Sequence, residues 1–321
     1  MRYPNSRRSD NRSAGGVRTA WLQILLWGLL IWAAGVAAVL LTQDPILVPG
    51  VFLTGSFLVP FALLFWVFER VGWGPDASRL PTALDPYRLL LAFATGGALG
   101  VTCSAVLENV LLKHLPHLYY LCVAVVEELV KLALVWLLAR HLRVYRRRDG
   151  MLLGATVGLG FAAFESAGYA FNAVQLNHAH DWVAVLQTQA TRGLLTPIGH
   201  ALWTALVAGA FFAAARGGRL RVSWSVVGWL GVAIGLHFAW DAAGGVAALA
   251  ATASAHRPIG ETEYLDGQLT NPVGPEIAVY TTVLTVLQSI DAGLALLLGW
   301  RMWRQAQHAA LNEAPTQCCD H

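Results

Sequence analysis

Eight windows of about 20 predominantly apolar residues follow one another along the chain, near 20–41, 47–68, 89–111, 118–139, 151–173, 194–215, 223–247 and 279–300. Windows of this length match the hydrocarbon thickness of a bilayer, where a helix satisfies its own backbone without water. Of the 321 residues, 56% are hydrophobic and only 13% charged, against roughly 25% charged in an ordinary soluble domain. A soluble enzyme is excluded. The expected fold is an all-α polytopic membrane bundle of eight transmembrane helices.

The 22 basic residues sort by side. With the amino terminus in the cytoplasm, 18 lie in inside segments, while Lys113, Arg192 and Arg257 fall in outside loops and Lys131 inside a span. That asymmetry is the positive-inside rule at work, so both termini are expected to be cytoplasmic and nucleic acid is not needed to explain the basic charge. The division expected is a basic disordered tail over 1–19, a transmembrane domain over 20–302 and a second cytoplasmic tail over 303–321. The run Ala20–Leu41 is too long for a cleaved signal and reads as the first span. Cys103 and Cys122 sit in apolar stretches and Cys318 and Cys319 form an adjacent pair, with no disulfide framework or metal-binding spacing. Gly154, Gly158 and Gly160, like Gly96 and Gly100, read as close-packing positions rather than a phosphate loop, since no Gly-Lys-Ser/Thr follows. The outer loop over 250–278, with Glu261, Glu263 and Asp266, reads as solvated.

Ionisable side chains cost about 2.5–3.5 kcal/mol each at the bilayer centre even on the lenient insertion scale, and here they are concentrated. The fourth window holds Glu127, Glu128 and Lys131, the fifth Glu165, the sixth His200, and the seventh His237 and Asp241. At about 1.5 Å per residue, these lie roughly 8–14 Å below the outer ends of their helices, although the helices run in both directions. Groups at one depth can meet. Spacing within each helix also keeps them on one face: Phe161 with Glu165, Thr196 with His200 and Thr204, His237 with Asp241, each four residues apart. Glu108 lies near an outer end and Asp291 stands without a matching partner, so both read as outside the cluster.

With the histidines neutral, Glu127, Glu128, Glu165 and Asp241 against Lys131 sum to minus three. Low dielectric does not tolerate that sum, so either carboxyls keep protons or a divalent cation is bound. Both conditions suit water activation: a buried carboxylate takes a proton, and histidines hold a metal or stabilise an oxyanion. Two histidines and a glutamate also make a hydrolytic zinc set with one position left for water. A proton-coupled transporter would gather similar groups but usually shows two related halves, which are not evident here. A noncatalytic membrane scaffold would keep the packing glycines, yet has little use for the adjacent Glu127 and Glu128.

Four ordered motifs carry a family resemblance: Glu127-Glu128-Leu-Val-Lys131, Phe161-x-x-x-Glu165, His200 in TPIGHALWTA, and His237-x-x-x-Asp241. Together, over about 118–245, they resemble the PrsW family of intramembrane proteases, related to the CAAX-processing (CPBP) proteases and the APH-1 proteins. The resemblance implies hydrolysis of a peptide bond in a membrane-protein substrate with a transmembrane segment, near the extracytoplasmic side, as in the first cut of an anti-sigma factor. It implies a multi-pass protein of a bacterial plasma membrane. It further implies that Glu127 or Glu128 activates water, Glu127 being favoured because Lys131 can neutralise its neighbour. Glu165, His200 and His237 would orient the water or bind a metal such as zinc, and Asp241 would orient His237. Where the CAAX-processing relatives carry a second-motif histidine this chain has Glu165, which argues against prenylated substrates.

Overall fold

The computed structural model describes residues 19–71, 83–115, 118–176, 182–267, 269–270 and 272–313. The expectations for the basic tail over 1–18 and for Cys318 and Cys319 lie outside the described residues. Helices account for nearly all of what is described: α1 (Ala20–Thr42), α2 (Val48–Val71), α3 (Pro86–Thr95), α4 (Val101–Leu111), α5 (Tyr119–Ala139), α6 (Arg147–Leu176), α7 (Trp182–Ala213), α8 (Trp224–Ser254), α9 (Glu261–Asp266) and α10 (Gly274–Glu313). No strand forms among the described residues. Seven segments are long and apolar enough to cross a membrane, among them Pro86–Leu111, which joins α3 and α4. The 21-residue α5 is of similar length but carries Glu127, Glu128 and Lys131 in its middle. The all-α polytopic bundle expected from the sequence is what forms.

Boundaries follow from local chemistry. Asp85 accepts a hydrogen bond from the Arg88 backbone at 2.8 Å, and Pro86 at the first helical position supplies the fixed φ that starts α3. A π-turn at Gly96–Gly100 then separates α3 from α4 without ending the span. Ser223 caps α8, and Gln43 in the left-handed region closes α1.

The centre of the bundle is the α6–α7 pair, the two most buried spans. Glycines at every fourth residue of α6 allow it. A Cβ on Gly154 would sit 2.6 Å from the Thr204 carbonyl oxygen, and one on Gly158 would sit 2.1 Å from that of His200. A backbone atom has no rotamer to yield, so these positions accept no side chain. On the opposite flank Gly96 meets the Val157 backbone and Gly160 that of Phe93, which draws the π-turn against α6. By contrast α1 and α10 are peripheral, with little of their surface covered.

The outer loop is built rather than merely solvated. Arg257 donates to both carboxylate oxygens of Glu263, at 2.9 and 2.8 Å, and also to Glu276. Glu263 further accepts from the Gly260 and Thr270 backbones. The resulting strap lies on the N-terminal end of α5 and the C-terminal half of α8: Tyr120 donates to the Tyr264 carbonyl at 2.9 Å, and Gly267 packs on Gly244. All of the Glu263 donors lie within seven residues of it in sequence, and its place three residues after Gly260 makes it the capping residue of α9.

Two outcomes follow. Gly158→Ala should lower the unfolding temperature in detergent sharply, whereas Gly168→Ala, with open space around the added Cβ, should leave it unchanged or slightly raised. In the strap, the Arg257 side chain and then the Gly260 and Thr270 N–H groups hold the Glu263 carboxyl well below the ordinary carboxylate range. Its contribution is therefore complete above that range and lost as pH falls through the depressed value. Hydrogen exchange at the Gly260, Tyr264 and Thr270 amides should stay protected at neutral pH and open on acidification. Glu263→Gln should open them at neutral pH as well.

Candidate active site

Lys131 is the hub. Its side chain is wholly buried, and its ammonium donates to Glu127 Oε2 at 3.1 Å, Glu128 Oε1 at 2.9 Å and His200 Nδ1 at 2.7 Å. The first two partners lie four and three residues back on α5, within one helical turn. The third crosses from α7. Beneath the ammonium, 4.1 Å away, is the face of the Phe161 ring from α6, which supplies cation–π attraction where water is excluded.

Those contacts fix the imidazoles. An ammonium has no lone pair, so His200 Nδ1 accepts and its proton is assigned to Nε2, which lies 3.0 Å from Glu165 Oε2. His237 Nδ1 lies 3.0 Å from Glu128 Oε1 and is assigned as donor to it. The other nitrogen, Nε2, then looks between Glu127 Oε2 at 3.6 Å and Asp241 Oδ2 at 3.4 Å. Trp203, one turn beyond His200, stacks on His237 with ring centres 4.7 Å apart and meets His200 edge-on. The His237 ring is thereby held at its face as well as at its nitrogens.

The structure thus brings Glu127, Glu128, Lys131, Phe161, Glu165, His200, His237 and Asp241 into one connected network. Glu108 and Asp291 are not in it by hydrogen bond or ion pair. Asp291 is buried in α10, and neither of its oxygens has a hydrogen-bond partner among the described residues. Asp241 approaches His237 across one helical turn, yet the shorter contact on that ring is Glu128 at Nδ1.

Two members were missed. Arg192 was counted as an outer-loop base, but it lies inside α7 and its Nη2 pairs with Glu165 Oε1 at 2.8 Å. With it the formal sum is four acids against two bases, minus two rather than minus three. A signal for it was present: Arg192, Thr196, His200 and Thr204 step by four along one face. Trp203 was the other, and its position three residues after His200 puts it on the same side of α7.

Among the described residues, the donors that converge are Glu127, His200 and His237, whose ligand atoms lie within 4.8 Å of one another. Glu165, expected with the two histidines, lies against Arg192 and His200 Nε2. A metal would be held by donors of this kind at this spacing. Two imidazoles and a carboxylate are the right chemistry for a hydrolytic metal. Lys131 engages two of these three donors, Glu127 and His200, and would share them with any ion held there.

A helix bundle with buried acids and imidazoles joined across four helices has the architecture of an intramembrane hydrolase. The family model described as PrsW family intramembrane metalloprotease matches residues 85–259, more than half of the chain and all of α3 to α8. The chain belongs to the PrsW family: it is a multi-pass membrane protein and an intramembrane peptidase, in a family described as metal-dependent. No curated protein and no solved structure matches it.

Lys131→Met would leave the carboxylates of Glu127 and Glu128 together without their cation. It is expected to cost about 3–5 kcal/mol of stability, read as a lower unfolding midpoint. Adding Glu128→Gln should recover part of the loss. A Lys131→Met protein as stable as the parent would show that the hub is not what joins these helices.

Proposed function

We propose that this peptidase cleaves a single-span membrane protein near the extracytoplasmic boundary, with Glu127 taking the proton of the attacking water. The observation that carries the reading is the convergence of Glu127, His200 and His237 in a dry centre, flanked by side chains that reach the surface. Asp241 and Glu165 keep 25% and 15% of their side-chain area accessible, so the network reaches the protein surface at these two side chains. Glu127 is eight residues from the start of α5, about 12 Å along the helix axis. With the eight-span orientation favoured by the basic residues, that depth falls in the outer half of a bacterial plasma membrane. An anti-sigma factor cut first on its outer side is the substrate class we favour.

In this reading a water sits beside the 3.6 Å contact of Glu127 Oε2 with His237 Nε2, within hydrogen-bond reach of both. Glu127 accepts the water proton and returns it to the departing amide nitrogen. His237, pinned through Nδ1 by Glu128, keeps Nε2 aimed at the same point. Lys131 supplies positive charge beside the tetrahedral oxyanion. Glu127, His200 and His237 would hold a metal, for which we propose zinc, and that ion when bound polarises the water and the scissile carbonyl.

The test is cleavage of a single-span substrate by the purified protein in lipid. Glu127→Gln should reduce kcat by about 10²–10⁴-fold, and a chelator should abolish cleavage that added zinc restores. Full activity in both Glu127→Gln and Glu128→Gln would reject the assignment of the base. Activity that survives complete metal removal would reject zinc and leave the carboxylate route.

A further inference from the structure

We propose that Arg192 is a positioning residue of the site, acting through Glu165 to set the His200 ring. The proposal rests on the peptidase reading only for its kinetic part. Arg192 enters from α7 two helical turns outside His200, and both residues reach the same carboxylate: Nη2 of Arg192 meets Glu165 Oε1 at 2.8 Å, while His200 Nε2 lies 3.0 Å from Oε2. One oxygen is thus held by the guanidinium and the other is presented to the imidazole.

The guanidinium is itself held on two sides. Its central carbon lies 3.6 Å from the centre of the Tyr169 ring, and Tyr169 follows Glu165 by four residues on α6, so ring and carboxylate share a face. A planar cation fits this slot by its face and its edge at once. A lysine would keep the charge but offer neither the plane nor the fork. Both ends of the ion pair are partly open, with side-chain accessibilities of 22% and 15%, whereas Lys131 and the two histidines are almost fully buried. Glu165 Oε2 has no aligned hydrogen-bond donor, so the cation on Oε1 is what keeps that second oxygen within 3.0 Å of His200 Nε2. The order runs from Tyr169 and Arg192 through Glu165 to His200, whose Nδ1 is thereby left facing Lys131 and Glu127.

The experiment uses full-length protein in lipid nanodiscs carrying ¹⁵N-labelled histidine, with the His200 ring signals identified by their loss in His200→Gln. Arg192→Gln, Glu165→Gln and the double variant are compared with the parent. The double variant removes both charges and keeps the measurement possible if Arg192→Gln alone fails to fold. Arg192→Lys provides a charge-retaining check. Expected is a displaced His200 ring signal in Glu165→Gln that the double variant does not displace further, a matching displacement in Arg192→Gln, and an intermediate one in Arg192→Lys. On a cleaved single-span substrate, kcat should fall about tenfold to a hundredfold with KM within about twofold, and the double variant should be no worse than Glu165→Gln. A His200 signal insensitive to Arg192→Lys and unaltered in Arg192→Gln overturns the proposal. So does a loss that multiplies in the double variant with a raised KM, which would make Arg192 a direct substrate contact. A parent protein that cleaves nothing sinks the peptidase reading alone, and the ring signals still decide the role of Arg192.

Discussion

Everything in the centre of this bundle is arranged around one ammonium that water does not reach. A lysine side chain with no accessible surface is unaffordable in a membrane unless every donor finds an acceptor and the charge is matched. Lys131 has its three acceptors, two carboxylates from its own helix and one imidazole nitrogen from α7. Its presence in turn explains why two adjacent glutamates are tolerated at that depth. The demand for an acceptor from α7 fixes the His200 tautomer, and the second contact of Glu128 fixes His237. The hub thus ties helices together and sets which imidazole nitrogen looks inward.

Such a hub requires helices closer than ordinary side chains permit. The glycines of α6 meet this need where they face α7, and Gly158 faces the backbone of His200 itself. Moving α7 outward by a methyl group would carry His200 away from Lys131 and Glu165 together. The π-turn at Gly96–Gly100 serves the other flank, since a Cβ on Gly100 would lie 2.9 Å from the Phe161 ring that underlies the ammonium. Packing and electrostatics are therefore one design here. The glycines bring the backbones near, and the ion network uses the proximity.

Much of this was legible in the sequence because apolar length and polar exceptions are both local signals. Spans could be read from windows, and Glu127, Glu128, Lys131, Glu165, His200, His237 and Asp241 stood out because each violates its window. The partition among partners was not legible. Depth and helical face put the carboxylates in one layer, but only the three-dimensional crossing decides that Glu127 lies by His237 while Glu165 lies between His200 and Arg192. Arg192 itself escaped because a hydropathy window stops at a charged residue, although α7 begins ten residues earlier, at Trp182. Glu263 escaped for the opposite reason: its Arg257, Gly260 and Thr270 partners are assembled by a loop whose pattern has no period.

The most direct test of the hub is the behaviour of its nitrogen. The sequence has two lysines, Lys113 and Lys131, and Lys113 is exposed, so ¹⁵N-lysine labelling gives a two-signal spectrum of the protein in lipid. The account predicts one side-chain nitrogen averaged by rapid proton exchange and a second in slow exchange, whose shift changes in both Glu128→Gln and His200→Gln. Two rapidly exchanging signals, or a slow one indifferent to both substitutions, would contradict it.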